Sequence, residues 1–160
     1  MKVLKWMACV VFVFLLQTQF FFLRDFLNIP VLLAYYFGLR SLEVVSAREY
    51  SSSRAEIGSV LFGAAVGLVE DVLSGSIIGP GLLSKGFIGF MTPVIFTSLV
   101  FKWTPLWGGI ITVLFTLMDG MILTGTRVLF TGIHVSGIGI FQILLIQALL
   151  NLPFGLVLRP

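Results

Sequence analysis

Long apolar runs separated by short polar stretches are the feature that most limits how this chain can fold. The last of these runs, from Ile138 to Leu158, contains no charged residue. A helix needs about 20 mostly apolar residues to cross the hydrocarbon core of a bilayer. Continuous hydrophobicity without strand-like alternation favours helices over a barrel. The chain is therefore expected to be an all-α, polytopic membrane protein.

Composition supports the same expectation. Of the 160 residues, 58% are hydrophobic and 11% are charged, whereas soluble domains are about 45–50% apolar and about 25% charged. So few charged side chains cannot cover the surface of a small soluble domain. Cys9 is the only cysteine, which excludes a disulfide scaffold. The net charge of +3 is expected to set topology rather than to bind nucleic acid.

We predict six transmembrane helices in a single integral membrane domain, residues 1–160. Their expected limits are residues 3–22, 29–45, 57–73, 82–101, 106–123 and 138–158. Six spans use about 120 residues at about 20 each, so the loops must be short. The first run is interpreted as an uncleaved helix rather than a signal peptide, because no small-x-small cleavage site follows it.

The basic residues predict that both termini face the cytoplasm. With the N-terminus inside, most of the ten Lys and Arg residues lie on the inner side, namely Lys2, Lys5, Arg40, Arg48, Arg54, Lys102 and Arg159. This distribution satisfies the positive-inside rule. The polar stretch from Arg40 to Glu56 then becomes a cytoplasmic loop, with or without a short surface helix. It is either a solvated connector or a docking site for a cytoplasmic partner.

Small residues recur every four positions on the third and fourth predicted spans. Residues four apart share one face of a helix, and small residues let membrane helices approach closely. The short connection over residues 74–80 favours an antiparallel hairpin. The predicted helix-packing residues are Ser59, Gly63, Gly67 and Gly89.

Charged residues inside the predicted spans are the candidates for a functional site. An ionisable group within a span costs at least ~2.5 kcal/mol and is normally paired or faces a pathway. Asp71 and Lys85 are expected at matching depths and are predicted to form an ion pair, with Glu70 turned about 100° away around the helix. Such a pair either locks the hairpin or belongs to a ligand or partner site.

Asp119 and Arg127 extend this candidate site. Asp119 lies near the outer end of the fifth predicted span, and Arg127 follows about two helical turns later, on the same side of the membrane. An outward-opening polar pocket is expected from five residues together: Glu70, Asp71, Lys85, Asp119 and Arg127. Gln142, Gln147 and Asn151 on the last span are expected to hydrogen-bond between helices. The single histidine and single cysteine do not support a metal site. Without a nucleophile elbow, phosphate loop or dinucleotide motif, neither an enzyme nor a cofactor is expected.

The segment from Gly63 to Gly75, continued by Ile78-Gly79 and residues 82–90, resembles the rod shape-determining protein MreD family. The shared pattern starts with small residues and Gly67-Leu68, followed two residues later by Asp71. It continues with a short Ser/Gly loop and a small-residue helix that ends in Gly89-Phe90. The pattern covers about a fifth of the chain.

This resemblance implies a non-enzymatic component of the bacterial inner membrane that supports peptidoglycan synthesis during cell elongation and is needed for rod shape. The implied partner is an MreC-like bitopic protein and, indirectly, the actin-like MreB, a SEDS glycosyltransferase and a class B penicillin-binding protein. The implied fold is similar to the S components of ECF vitamin transporters. Under this interpretation, Gly63 and Gly67 are the expected contact for a partner's transmembrane helix.

Two other classes of function remain open from the sequence. An S component of an ECF-type transporter would bind a small vitamin in the outward pocket and dock on a coupling protein. Against this, the first span has only Ala8 where paired alanines at four-residue spacing are usual. A channel or carrier formed by several copies is the other class, and the predicted Asp71–Lys85 pair disfavours it.

Overall fold

The computed structural model describes residue 12 and residues 26–48, 52–75, 77–100, 103–131 and 137–159. These residues contain five long α-helices and no β-strand, which confirms the predicted all-α class. The helices are α1 (Ile29–Arg48), α2 (Ser52–Ser74), α3 (Pro80–Ser98), α4 (Pro105–Thr131) and α5 (Gly137–Val157). The first predicted span, residues 3–22, lies outside the described residues apart from Phe12.

Three of the helices are long and apolar enough to cross a membrane. The qualifying segments are Ala55–Ser74 in α2, Pro105–Phe130 in α4 and Gly139–Val157 in α5. Ile29–Leu42 in α1 is apolar but shorter. These segments are compatible with a membrane protein, whereas the number of six spans and their orientation stay predictions.

Several helix ends differ from those predicted. Helix α1 continues to Arg48 instead of residue 45, and α2 begins at Ser52 instead of residue 57, so helix occupies most of the polar stretch that was expected to be a cytoplasmic loop. Helix α4 continues eight residues past Leu123, the expected end of the fifth span. Polar residues mark where a helix leaves the hydrocarbon, but many of them have good helix propensity, so polarity alone does not end a helix.

Helix α1 lies between the other helices and carries the centre of the hydrophobic core. Its side chains pack with those of α3 and α4 in one buried cluster, made of Val31, Ala34, Tyr35, Leu39, Ile88, Phe96, Ile111 and Phe115. The Tyr35 ring lies 6.4 Å from the ring of Phe96 and 6.2 Å from that of Phe115, centroid to centroid. Aromatic pairs at these separations add to the stability gained by burial.

The connection between α2 and α3 depends on two glycines. Gly75 has a φ of 62° and Gly79 a φ of 132°, conformations that side chains with a Cβ rarely adopt. Pro80 then occupies the start of α3, where its missing N–H is not needed. Gly79, at the N-cap position, offers no side chain to the free N–H groups of α3, so another residue must satisfy them.

Candidate functional site

The backbones of α2 and α3 are in direct contact along a line of glycines. A Cβ atom at Gly63 would collide with the carbonyl oxygen of Lys85, and one at Gly67 with that of Gly81. A Cβ at Gly89 would collide with the carbonyl oxygen of Ser59. The Ser59 hydroxyl is itself buried and lies 2.9 Å from the hydroxyl of Ser41 on α1. Ser59, Gly63, Gly67 and Gly89 therefore lie where the helix backbones meet.

This packing corrects one expectation from the sequence. Gly63 and Gly67 were expected to receive the transmembrane helix of a partner. Both residues are buried, and their open sides are filled by the backbone of α3. A glycine stripe predicts that some helix approaches closely. It does not distinguish a foreign helix from the next helix in the same chain.

Asp71 is the hydrogen-bond acceptor for the free backbone N–H groups at the start of α3. Its carboxylate is 1% exposed and accepts hydrogen bonds from three backbone N–H groups. The N···O distances are 2.8 Å to Gly79, 3.0 Å to Gly81 and 3.2 Å to Leu82. Negative charge is favourable at a helix N-terminus, where the helix dipole and the free N–H groups point. Asp71 therefore caps α3 from across the hairpin.

The predicted Asp71–Lys85 ion pair is thus wrong. The two residues lie at similar depth, but the short Asp71 side chain reaches the amides at the helix terminus rather than the Lys85 ammonium. Glu70, expected to turn away, occupies that place: its Oε2 lies 2.6 Å from Lys85 Nζ. Glu70 is seven residues after Gly63, so both share the face of α2 that contacts α3.

Lys85 has a second carboxylate partner on a different helix. Its Nζ lies 2.7 Å from Oδ1 of Asp119 on α4, and both side chains are completely buried. Lys85 therefore links α2 and α4 through a single ammonium group. The sequence prediction that Glu70, Lys85 and Asp119 share one site corresponds to direct contacts in the structure.

Asp119 also accepts two hydrogen bonds from neutral side chains. Nδ2 of Asn28 donates to Oδ2 at 2.6 Å, and the Ser84 hydroxyl donates to Oδ1. Oδ1 of Asn28 in turn accepts from the Val31 N–H at 3.3 Å, which caps α1. Sequence reasoning missed Asn28 and Ser84 as site residues. The available signals were an N-cap residue just before Pro30 and a hydroxyl next to a lysine within a span.

Together Glu70, Lys85 and Asp119 form what we call the ionic cluster. It places two carboxylates against one ammonium, so its formal charges do not balance. Buried charges are costly unless they are paired and hydrogen-bonded, and the bonds from Asn28 and Ser84 to Asp119 help to meet this cost. The Glu70 side chain is 26% exposed, whereas those of Lys85 and Asp119 are not exposed. The cluster therefore reaches the surface at Glu70.

Arg127, the last of the five predicted pocket residues, is not part of the ionic cluster. Arg127 lies on α4 about 12 Å beyond Asp119 along the helix axis, at about 1.5 Å per residue, and its side chain is outside the described part. In the residues that the structure describes, no group of three or more His, Cys, Asp or Glu side chains could hold a metal ion. His134 and Cys9 fall outside those residues.

A separate, uncharged contact joins α4 and α5. Asn151 is buried, and its Nδ2 donates to the Thr116 hydroxyl at 3.0 Å. That hydroxyl donates to the Thr112 carbonyl oxygen at 2.8 Å. The predicted interhelical role of Asn151 is confirmed.

Comparison of the chain with protein-family models, curated proteins and solved structures finds no match. On their own, the fold and the site define a class: an all-α protein with membrane-compatible apolar helices. Its distinguishing features are a glycine-packed hairpin and a buried ionic cluster beside the start of α3.

Proposed function

We propose that this protein is a non-enzymatic scaffold of the bacterial cell-elongation machinery, embedded in the inner membrane with six spans and both termini in the cytoplasm. The observation that carries the proposal is the resemblance of the segment from Gly63 to Phe90 to the MreD family. Its direct partner is an MreC-like bitopic protein. Through that protein it supports MreB, a SEDS glycosyltransferase and a class B penicillin-binding protein during peptidoglycan synthesis.

The contacts of that segment are consistent with a structural role. Gly63, Gly67 and Gly89 are positions where two backbones meet, and Asp71 caps a helix. Side chains committed to holding helices together build a rigid surface on which other membrane proteins can assemble.

Because α3 fills the glycine face of α2, a partner helix would meet the opposite, outward face of the hairpin. That face carries exposed apolar residues, which are Ile57, Leu61, Leu68 and Val72 on α2 and Leu83, Phe87 and Phe90 on α3. The proposal therefore assigns partner contact to this stripe, which lipid covers wherever no partner binds.

Affinity purification in mild detergent tests the proposed partner. The tagged protein is expected to retain an MreC-like single-span protein, and deletion of the gene is expected to turn rods into spheres. Leu61→Lys on the outward stripe is expected to reduce retention of the partner. Leu114→Lys, at an exposed position of α4, is the matched control for a charge facing lipid. Normal cell shape after deletion, with no such partner retained, would contradict the proposal.

Reporter fusions test the proposed orientation. A reporter that is active only in the cytoplasm should work when it follows Arg159 or lies within residues 49–51. The same reporter should fail within residues 75–79. Activity at residues 75–79 would overturn the orientation while leaving the helix assignments intact.

One observation favours a second candidate, the substrate-binding S component of an ECF-type vitamin transporter. The ionic cluster is buried at Lys85 and Asp119 but opens to the surface at Glu70, as a ligand site would. This candidate predicts that purified protein retains a small molecule detectable by mass spectrometry and loses it when Asp119 or Arg127 is replaced. It also predicts co-purification with an ECF coupling subunit instead of an MreC-like protein.

A further inference from the structure

The described helices form two groups, and the helices pack more closely within each group than between the groups. Helices α1, α2 and α3 pack extensively on one another, and α4 packs mainly on α5. Contacts between the two groups are sparser. We call α1–α3 the three-helix unit and α4–α5 the two-helix unit. The apolar part of their seam includes Tyr35 against Phe115.

Two hydrogen bonds and an ion pair across this seam meet at Asp119. Asp119, on the two-helix unit, meets Asn28, Ser84 and Lys85, all of which belong to the three-helix unit or the residue that caps it. Its side chain is completely buried. The Asp119 carboxylate therefore joins the two units near the N-termini of α1 and α3.

The partners of Asp119 do not depend on it for their own charge balance. Lys85 keeps Glu70 at 2.6 Å within the three-helix unit, so withdrawal of Asp119 leaves one ammonium paired with one carboxylate. With Asp119 in place, the same ammonium serves two carboxylates. In the closed seam, Lys85 is therefore shared between a carboxylate of its own unit and one of the other unit.

We propose that Asp119 is a releasable latch, and that the two-helix unit swings away from the three-helix unit when the latch opens. Paired helices that shift by small amounts at an interface are a common form of conformational switch. The ion pair that remains, Lys85 with Glu70, keeps the three-helix unit intact in the open state. The movement is independent of the proposed partner and of any ligand.

Spin-label distances in the full-length protein, reconstituted in bilayers, test the latch. Labels at Val72 on α2 and Leu129 on α4 report across the seam, since both positions are exposed. Val72 with Leu99 reports within the three-helix unit, and Leu129 with Val157 within the two-helix unit. Cys9→Ser removes the native cysteine from every variant.

Asp119→Asn keeps the size of the side chain but removes the charge that holds Lys85. The Val72–Leu129 distance is expected to lengthen by at least ~2 Å or to gain a longer population, with both control distances unchanged. Glu70→Gln, which leaves Asp119 and its three partners in place, is expected to keep the wild-type distance. Ser84→Ala removes one neutral hydrogen bond, so it should give a smaller shift in the same direction, and it serves if Asp119→Asn folds poorly.

Three results would overturn the latch. One is an unchanged Val72–Leu129 distance in both Asp119→Asn and Ser84→Ala. Another is an equal shift in Glu70→Gln, which would mean that the total charge of the cluster, rather than Asp119, controls the seam. The last is broadening of all three distances, which would mean general loosening instead of movement between two intact units.

Discussion

Among the helices that the structure describes, the α2–α3 hairpin and the α4–α5 hairpin are closed in different ways. In the α2–α3 hairpin, backbone meets backbone at three glycines, Gly63, Gly67 and Gly89. In the α4–α5 hairpin, such contact occurs at one end, where Gly108 faces the carbonyl oxygen of Gly155. Further along, a Cβ at Gly120 would meet only the end of the Leu144 side chain.

This difference indicates which of the two hairpins can tolerate an added side chain. A backbone carbonyl cannot move without displacing its helix, whereas a leucine side chain can adopt another rotamer. The hairpins also differ in the contact between their own two helices. Glu70 and Lys85 form an ion pair between α2 and α3, whereas Asn151 and Thr116 form a neutral hydrogen bond between α5 and α4. The α2–α3 hairpin should therefore be the less tolerant of the two.

The largest effect is expected for Gly67→Leu, because the added side chain must displace the α3 backbone at Gly81. We expect loss of the folded, monodisperse protein, measured by size-exclusion chromatography of a fluorescent fusion in mild detergent. Gly58→Ala is the matched control on the same helix, since a Cβ there meets nothing within 4 Å. Gly120→Ala, in the other hairpin, should keep the folded peak. A folded Gly67→Leu protein would show that the two hairpins are equally adaptable.

Lys85→Met should come next, because it leaves two carboxylates without their shared cation. Removing one partner of a buried ion pair costs on the order of 3–5 kcal/mol, to be measured as a fall in the free energy of unfolding. Adding Asp119→Asn and Glu70→Gln should recover part of the loss. If the losses simply add, the three residues do not interact.

Asp71→Ala should have a smaller effect, since it removes a cap rather than a charge partner. Loss of an N-cap costs about 0.5–2 kcal/mol, and the N–H groups of Gly79 and Gly81 should then exchange their hydrogens faster. Asp71→Asn, which retains one acceptor oxygen, is expected to lose less. A double-mutant cycle should find weaker coupling of Lys85 to Asp71 than to Asp119; the opposite order would restore the pairing predicted from sequence.

The smallest effect is expected for Asn151→Ala in the α4–α5 hairpin. Interhelical hydrogen bonds in membranes contribute about 0.6 kcal/mol on average, so the melting temperature should fall only slightly. Thr116→Val should give a similar fall, and the double variant should be no worse than either single variant. A loss as large as that of Lys85→Met would contradict the ranking of the two hairpins.

The amino-acid sequence by itself determined the helical class, the apolar segments of α2, α4 and α5, and the close contact of α2 with α3. These features follow from local quantities: the length of an apolar run and the four-residue spacing of small side chains. It also predicted that Glu70, Lys85 and Asp119 belong together, because charged groups within a span must find partners.

Only the tertiary structure decided which groups pair. Helical periodicity gives the face and depth of a residue, but it does not give the reach of a side chain or the identity of the neighbouring helix. Asp71 therefore caps α3, and Glu70 pairs with Lys85 in the place where Asp71 was expected. Asn28 donates a hydrogen bond to Asp119, which is 91 positions away in the chain. The four-residue spacing of glycines likewise predicts a close helix contact without identifying the second helix. The packing of the whole bundle decides that this helix is α3 and not the helix of a partner.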